Sequence, residues 1–325
     1  MLKKLINSAE IKFDIIPLDP LLIKSGQATV GGVDMSFVRT FHSGEEEEPF
    51  IPGSSIKGMI RAYAEKICRS LKDEPVPVCM PYVKPGKELD GEHGQASCGL
   101  RFDDYKNKHK QPVLPSSDIY KYSCPICRLF GSHVYIGRLA TSDAYLTQAF
   151  KEKGKPIFEI RDGVAIDRIT GGAKQGAKYD LEVLTRGEFD TGITIRNFER
   201  WQLGLIGLII RDMTQGQLRL GFAKSRGLGR FEIKVHSFTL SYYNQKPSDF
   251  TGISTLCTDA QLASYEFFKE VISKSAKLNT FQENGLRYDY DITSCWEDML
   301  KPGVEDLRIY IETNKWPGNI DKYLK

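Results

Sequence analysis

The chain has no apolar run long enough to span a bilayer. Its longest near-continuous stretch, Leu203 to Ile210, is eight residues with two glycines among them, against the roughly 20 apolar residues that a spanning helix needs. No membrane partner is expected. The first residues, Met1 to Ile16, include Lys3 and Lys4 but then alternate polar and apolar positions, with no apolar core ahead of a small-residue cleavage site, so the protein reads as cytoplasmic. A disulfide framework is missing too: seven cysteines is an odd number, and reduced thiols suit a chain that is not exported. Clustered cysteines would therefore point to metal. Neither sign of charge is in excess, since 45 basic and 42 acidic residues leave a net +3, and the placement of charges matters more than their total. No repeat period is present. A composition of 41% hydrophobic and 27% charged residues excludes wholesale disorder, collagen and coiled coil.

What is present, over 325 residues, suffices for a sizeable core in two domains or one elaborated domain. Glu10 to Ile16 alternates with the period of a half-buried strand, and the glycine-bearing Leu22 to Phe50 reads as a loop or hairpin excursion. Within it the run Glu45 to Glu48 reads as a solvated loop. Ile56, Met59, Ile60, Tyr63, Ala64, Ile67 and Leu71 form a helical stripe. Pro52 and Gly53 stop the preceding chain, and Ser54 or Ser55 is placed to cap the helix. Lys72 to Ser123 lacks periodicity over a length that a compact domain does not leave unorganised. Strands are predicted at Val134–Leu146, Ile157–Ile166, Glu188–Arg196 and Arg230–Tyr242, with a short one beginning at Leu218–Leu220. Ile166 to Tyr179 reads as a loop bearing glycine and lysine. Trp201–Thr214 reads as a buried helix, Thr258 and Gln261 as a capping box for a helix through Ser275, and Gly303–Thr313 as helical. The order strand, helix, strand, strand, helix, strand fits an α+β, ferredoxin-like or RNA-recognition-type sandwich with large insertions.

Five groups carry candidate chemistry. Cys124-Pro-Ile-Cys127, with Cys79 and Cys98 upstream, offers four thiols of the kind that hold tetrahedral zinc; His93 competes as a ligand, His109 less so, and a merely buried or redox pair is the plainer alternative. A structural zinc would supply the organiser that residues 72–123 lack. Gly221 to Arg230 packs glycines with Lys224, Arg226 and Arg230, which suits a polyanion or simply a tight turn. It matches neither a P-loop, which would need glycine at Leu218 and Ala223, nor a dinucleotide fingerprint. Arg168, Lys174 and Lys178 decorate a second glycine-bearing loop, and Lys57 and Arg61 share one face of the first helix. Together the basic elements would make a track for a single nucleic-acid strand. Asp34, in Gly31-Gly32-Val33-Asp34, would place a hydrated divalent ion or orient a ribose hydroxyl, or serve as a turn residue. Neither a Ser-His-Asp set nor H-E-x-x-H is apparent.

The combination resembles the RAMP superfamily, specifically the repeated backbone subunit of type III CRISPR-Cas effector complexes. The matching pieces are Gly32-Val-Asp34, Pro49-Phe-Ile-Pro-Gly-Ser-Ser-Ile-Lys-Gly-Met-Ile-Arg61, Cys124-Pro-Ile-Cys127-Arg-Leu-Phe-Gly131, Ile166-Asp-Arg-Ile-Thr-Gly171, Tyr179-Asp-Leu-Glu182, Gly187-Glu-Phe189 and Gly221 to Arg230. The resemblance implies an RRM-like palm over residues 1–71 and 131–243, with a thumb hairpin at about 161–187. It also implies a zinc-binding fingers insertion over 72–130, held by Cys79, Cys98, Cys124 and Cys127. Residues 244–325 lie outside it as a C-terminal helical extension that would dock a neighbouring subunit. Ser54, Ser55, Lys57, Arg61, Arg168, Lys174, Lys224 and Arg226 would bind CRISPR RNA. Asp34 would cut complementary target RNA with Mg2+ or Mn2+, within a complex of other type III subunits. The alternatives are a purely structural RNA-binding subunit and a stand-alone ribonuclease that processes precursor guide RNA. Glu45 to Glu48 would lengthen or re-aim the loop that carries Asp34.

Overall fold

A computed structural model describes residues 3–26, 32–42, 46–85, 96–271 and 275–314. Its chain order is β1 (Asn7–Pro17), β2 (Arg39–Phe41), β3 (Glu47–Ile51), α1 (Gly53–Ser70), α2 (Cys98–His109), α3 (Ser116–Lys121) and α4 (Pro125–Phe130). There follow β4 (Gly131–Ser132), β5 (Tyr135–Ile136), β6 (Leu139–Thr141), β7 (Ala144–Leu146), α5 (Gln148–Lys153), β8 (Ile157–Ile166), β9 (Ala173–Arg186), β10 (Phe189–Arg196) and α6 (Arg200–Thr214). The chain closes with β11 (Phe231–Tyr243), α7 (Ile253–Leu256), α8 (Asp259–Tyr265), β12 (Gln282–Asn284), β13 (Arg287–Asp291) and α9 (Trp296–Thr313).

The main sheet is antiparallel, in the order β12-β13-β11-β1-β10-β7-β3-β2, with β6 also on β10. Its centre, β11-β1-β10-β6/β7, with α1 and α6 as the crossovers, is compatible with the ferredoxin-like palm. Alternation explains which way β1 faces: Ala9, Ile11, Phe13 and Ile15 are fully buried, while Glu10 and Lys12 point to the open face. The phase slip near His236 is a register shift where β11 passes Lys12 and Phe13 of β1.

Helix α1 buries Ile56, Met59, Ile60 and Ala64 of its predicted stripe and also Cys68, while Tyr63, Ile67 and Leu71 are partly buried against the same core. Its cap differs from expectation. Pro52 stands at the N-cap with no side-chain cap bond, and it is Asp143 Oδ1, from the β6–β7 turn, that accepts from Gly53 N at 2.7 Å. Ser54 and Ser55 fall inside the first turn, two and three residues past the cap.

Several expectations are corrected. Among its described residues the 72–123 segment forms helices α2 and α3. The strand predicted from Leu218 amounts to a single bridge between Arg219 and Arg230. Residues 166–179 are mostly strand rather than loop, because β9 begins at Ala173 and pairs with β8 in a separate hairpin. Asp167 pins its turn by accepting from Ile169 N and Thr170 N. Of the acidic run, Glu47 and Glu48 lie in β3, with Glu48 paired to Lys151 at 2.5 Å; Glu45 lies outside the described residues. The Thr258–Gln261 capping box is present, but α8 stops at Tyr265 because Glu266 turns left-handed.

Residues 244–325 are not purely helical, since β13 extends the main sheet by pairing with β11. Helix α9 lies along α6 so closely that a Cβ on Gly303 would sit 2.6 Å from Arg200 O, which only glycine allows. Trp201 and Tyr310 stack across this seam at 4.5 Å. Among the described residues no helix is long and apolar enough to cross a membrane.

Candidate functional site

Two clusters bring the candidate residues together. The first is built from thiols. Cys79 follows α1, Cys98 opens α2, Cys124 is the N-cap of α4, and Cys127 lies within α4 behind a proline at its first position. All four are buried, and their sulfurs lie within 4.8 Å of one another, with Cys79 and Cys127 Sγ 3.6 Å apart. A tetrahedral zinc tetrathiolate, with Zn–S near ~2.3 Å, sets its sulfurs about 3.8 Å apart. The donor set therefore fits a metal of that kind, and soft sulfur ligands favour zinc over magnesium. Backbone amides of Cys124 and Cys127 donate to Cys98 Sγ and Cys124 Sγ, both at 3.4 Å. Although burial pushes it up, hydrogen bonds from Cys127, Cys79 and Cys98 hold the Cys124 thiol well below the usual cysteine range. His109 stands apart on α2, exposed, its ring against Tyr105 at 4.3 Å. His93 lies outside the described residues.

Helix α1 borders this cluster. Lys57 Nζ donates to Leu139 O at 3.0 Å, and burial followed by the neighbouring Arg61 charge pulls its pKa down. Arg61 turns inward, donating to Gly131 O at 3.0 Å and to Cys127 Sγ at 3.5 Å. Burial works against its charge, but the Cys127 side chain, the hydrogen bond to Glu65 and the Cys124 side chain together raise its pKa. Ser54 is exposed and Ser55 half-buried. The expected RNA face of α1 thus keeps its hydroxyls at the surface while both of its cations already have protein partners.

The second cluster forms where the β8–β9 hairpin leaves the body. Asp34, exposed, accepts from Asp180 N through Oδ2 at 3.0 Å. The chain beyond it is stitched to β9: Met35 N donates to Asp180 O at 3.1 Å and Glu182 N to Met35 O at 3.0 Å. Glu182 then accepts from Phe37 N at 2.9 Å and holds Arg39 through both carboxylate oxygens, at 2.9 and 2.6 Å. Hairpin register sets Asp162 opposite Asp180. The Asp180 carboxyl is raised, first by its hydrogen bond with Asp162 and then by desolvation and the charges of Asp162 and Asp34. Lys178 pairs with Asp162 at 3.2 Å and holds that carboxyl down.

The glycine-rich loop arrives at the same place. Arg226 donates to the Tyr179 hydroxyl, with its guanidinium 5.3 Å from the Phe222 ring. Gly221 and Gly229 adopt φ of +82° and +83°, which seat the loop against Leu22 and Leu220 and leave Lys224 and Arg226 exposed. Asp34 and Arg226 thereby meet consecutive residues of β9, Asp180 and Tyr179. Arg168 and Lys174 are exposed further out, beside the hairpin turn. Sequence reasoning gave no role to Asp162, Asp180 or Tyr179. Their signal is the pairing of β8 with β9, which requires knowing the hairpin register.

A family model of the RAMP superfamily matches residues 15–232, while no curated protein matches the chain. The match runs from the end of β1 into β11 and takes in α1, the cysteine cluster, the hairpin and the glycine-rich loop, so the chain belongs to the RAMP superfamily.

Proposed function

We propose that the chain is a CRISPR RNA-binding backbone subunit of a type III effector complex that cleaves target RNA paired to the guide. Family membership already carries the coarser statement, a CRISPR-associated RNA-binding protein. The observation that supports the finer one is the convergence of Asp34, the β8–β9 hairpin and the Arg226 loop at Tyr179 and Asp180. In this reading the hairpin is the thumb, which splays a target nucleotide out of the stack and brings its phosphate beside Asp34. Lys224 and Arg226 bind backbone phosphate, and guide pairing supplies sequence selection. Residues 72–130 form the zinc-binding fingers.

Cleavage is an in-line attack of the target 2'-hydroxyl on its own 3'-phosphate. The new O2'–P bond closes a 2',3'-cyclic phosphate as the 2'-hydroxyl proton passes to solvent, the P–O5' bond breaks, and the departing O5' takes a proton from solvent. Asp34 accepts the hydrogen bond of the attacking hydroxyl and orients it, which is the larger part of its work. The carboxylate of Asp34 is a hard donor of the kind that would fit Mg2+ or Mn2+, and such an ion would supply charge neutralisation at the phosphate.

The test is magnesium-dependent cleavage of guide-complementary RNA by the reconstituted complex. Asp34→Ala is expected to lose regularly spaced cuts by about 100-fold or more while target binding persists. Cutting by the variant at the parental rate refutes the assignment; no cutting by either, with tight guide binding, makes the subunit a scaffold. Lys224→Ala is expected to weaken guide binding equally for all sequences. It should also flatten the slope of log K against log salt by about 0.7, as read from titrations at several salt concentrations.

A further inference from the structure

We infer that Arg61 is the outer-shell partner of the four-cysteine centre, a positioning residue that ties the ligand Cys127 to helix α1. The inference rests on the reading of the four cysteines as a metal site. It departs from the expectation that Arg61 grips guide phosphate.

Three acceptors use its fork. Nη2 points at Cys127 Sγ at 3.5 Å, Nη1 donates to Gly131 O at 3.0 Å, and Nε donates to Glu65 Oε1 at 3.2 Å. One turn further along α1, the other Glu65 oxygen meets Arg69 at 3.7 Å, and Arg69 Nη2 reaches Cys79 O at 3.5 Å. Arg61, Glu65 and Arg69 thus form a ladder along one face of the helix, spanning the cluster from Cys127 to Cys79. The Arg61 side chain is only 27% exposed, so little of it is free for a solvent-side ligand.

Four thiolates around a divalent ion make a net dianion. Buried, that charge favours either a cation against it or the loss of a ligand as a protonated thiol. A guanidinium donating to one sulfur draws off charge and opposes both dissociation and protonation of that ligand. Lysine would bring the charge but not three donors in fixed directions. The arrangement also makes metal occupancy a determinant of where the start of α1 sits, because Arg61 is joined at once to the helix, to Cys127 and to β4.

The experiment uses the full chain loaded with zinc, and with cobalt as a spectroscopic substitute. Arg61→Ala is expected to release zinc to a chelator about 10–100-fold faster than wild type and to shift the sulfur-to-cobalt charge-transfer band. Arg61→Lys should fall between the two. Lys66→Ala, which removes the same charge from an exposed position of the same helix, should match wild type. A wild-type release rate and band in Arg61→Ala overturn the inference, as does equal acceleration by Lys66→Ala, which would reflect net charge alone. Should Arg61→Ala fail to fold, Arg61→Gln provides the same comparison. A wild-type chain that takes up no cobalt or zinc defeats the metal reading itself, a result distinct from a loaded protein indifferent to Arg61.

Discussion

Cys124→Ser is expected to abolish metal binding and to melt the 72–130 insertion while the palm sheet stays folded. Cys124 sits at the centre of the cluster: it is the N-cap of α4, its sulfur takes the Cys127 amide, and its own amide is given to Cys98 Sγ. A serine oxygen is shorter and harder, and would leave zinc with three sulfurs and a poor fourth donor. Structural zinc contributes on the order of 10 kcal/mol to the folding of small sites, which is comparable to the net stability of a whole domain, about 5–15 kcal/mol. Losing such an ion would remove what would join Cys79, Cys98 and α4. The palm has its own core, with Ala9, Ile11, Phe13, Phe189, Ile193, Ile195 and Phe238 all at 0–1% exposure. The measurements are metal content per chain and limited proteolysis. Metal should fall to background, and cuts should appear between residues 72 and 130 before any appear in the palm. Stripping zinc from the wild type with a chelator should reproduce the pattern. A Cys124→Ser chain that keeps its metal and its protease resistance would show that the insertion is organised by apolar packing alone.

What could be read from the sequence follows from how locally each feature is encoded. The stripe from Ile56 to Leu71 and the alternation of Glu10–Ile16 and Glu188–Arg196 carry their own period, so α1, β1 and β10 are placed to within a few residues. Helices α2 and α3 carry no such stripe because what they bury meets distant chain. Tyr120 donates to Glu199 and has Arg138 over its ring at 4.1 Å. Glu199 is wholly buried and also accepts from Phe268 N at 2.7 Å. That knot draws on the insertion, the palm and the C-terminal segment at once, and no window of sequence contains it. Strand β12 is exposed and β13 buries only Tyr290, so β13 owes its conformation to the edge that β11 offers and β12 to β13. The cysteine set was legible because metal ligation restricts residue type. The aim of Arg61 was not, because a cation on a helix face looks the same whether it turns to solvent or to a sulfur.

The segment that follows β11 is where a substitution without any catalytic role should cost most. Asp306, fully buried on α9, holds Arg200 Nε at 2.6 Å and Nη2 at 3.0 Å, and Arg200 is itself 4% exposed. The same carboxylate accepts from Val271 N at 3.1 Å. Glu270 stands on the other side of the guanidinium, 3.5 Å from Nη1, and accepts from Gly252 N at 2.6 Å. Burial raises the Glu270 carboxyl against the pull of Arg200, and at 3.5 Å against 2.6 Å Glu270 is the more distant of the two counter-charges. Asp306→Ala would leave Glu270 as the nearby counter-charge of the buried Arg200, beside its bond to Val271 O at 3.0 Å, and would orphan the Val271 amide. Breaking a buried pair from one side costs about 3–5 kcal/mol, and the presence of Glu270 places the expected loss near the lower end. Asp306→Asn keeps an acceptor for Val271 and should lose less. Denaturant midpoints of the three chains check the order. Equal stability of Asp306→Ala and wild type would mean that the α6–α9 seam is held by Gly303 and the Trp201–Tyr310 stack alone. The predicted order instead makes α9 a layer against α6, behind the sheet that β13 extends. One face of α9 is then spent on α6, and any contact of this helix with a neighbouring subunit would use the opposite face, where Arg308 pairs with Glu305 at 2.7 Å in the open.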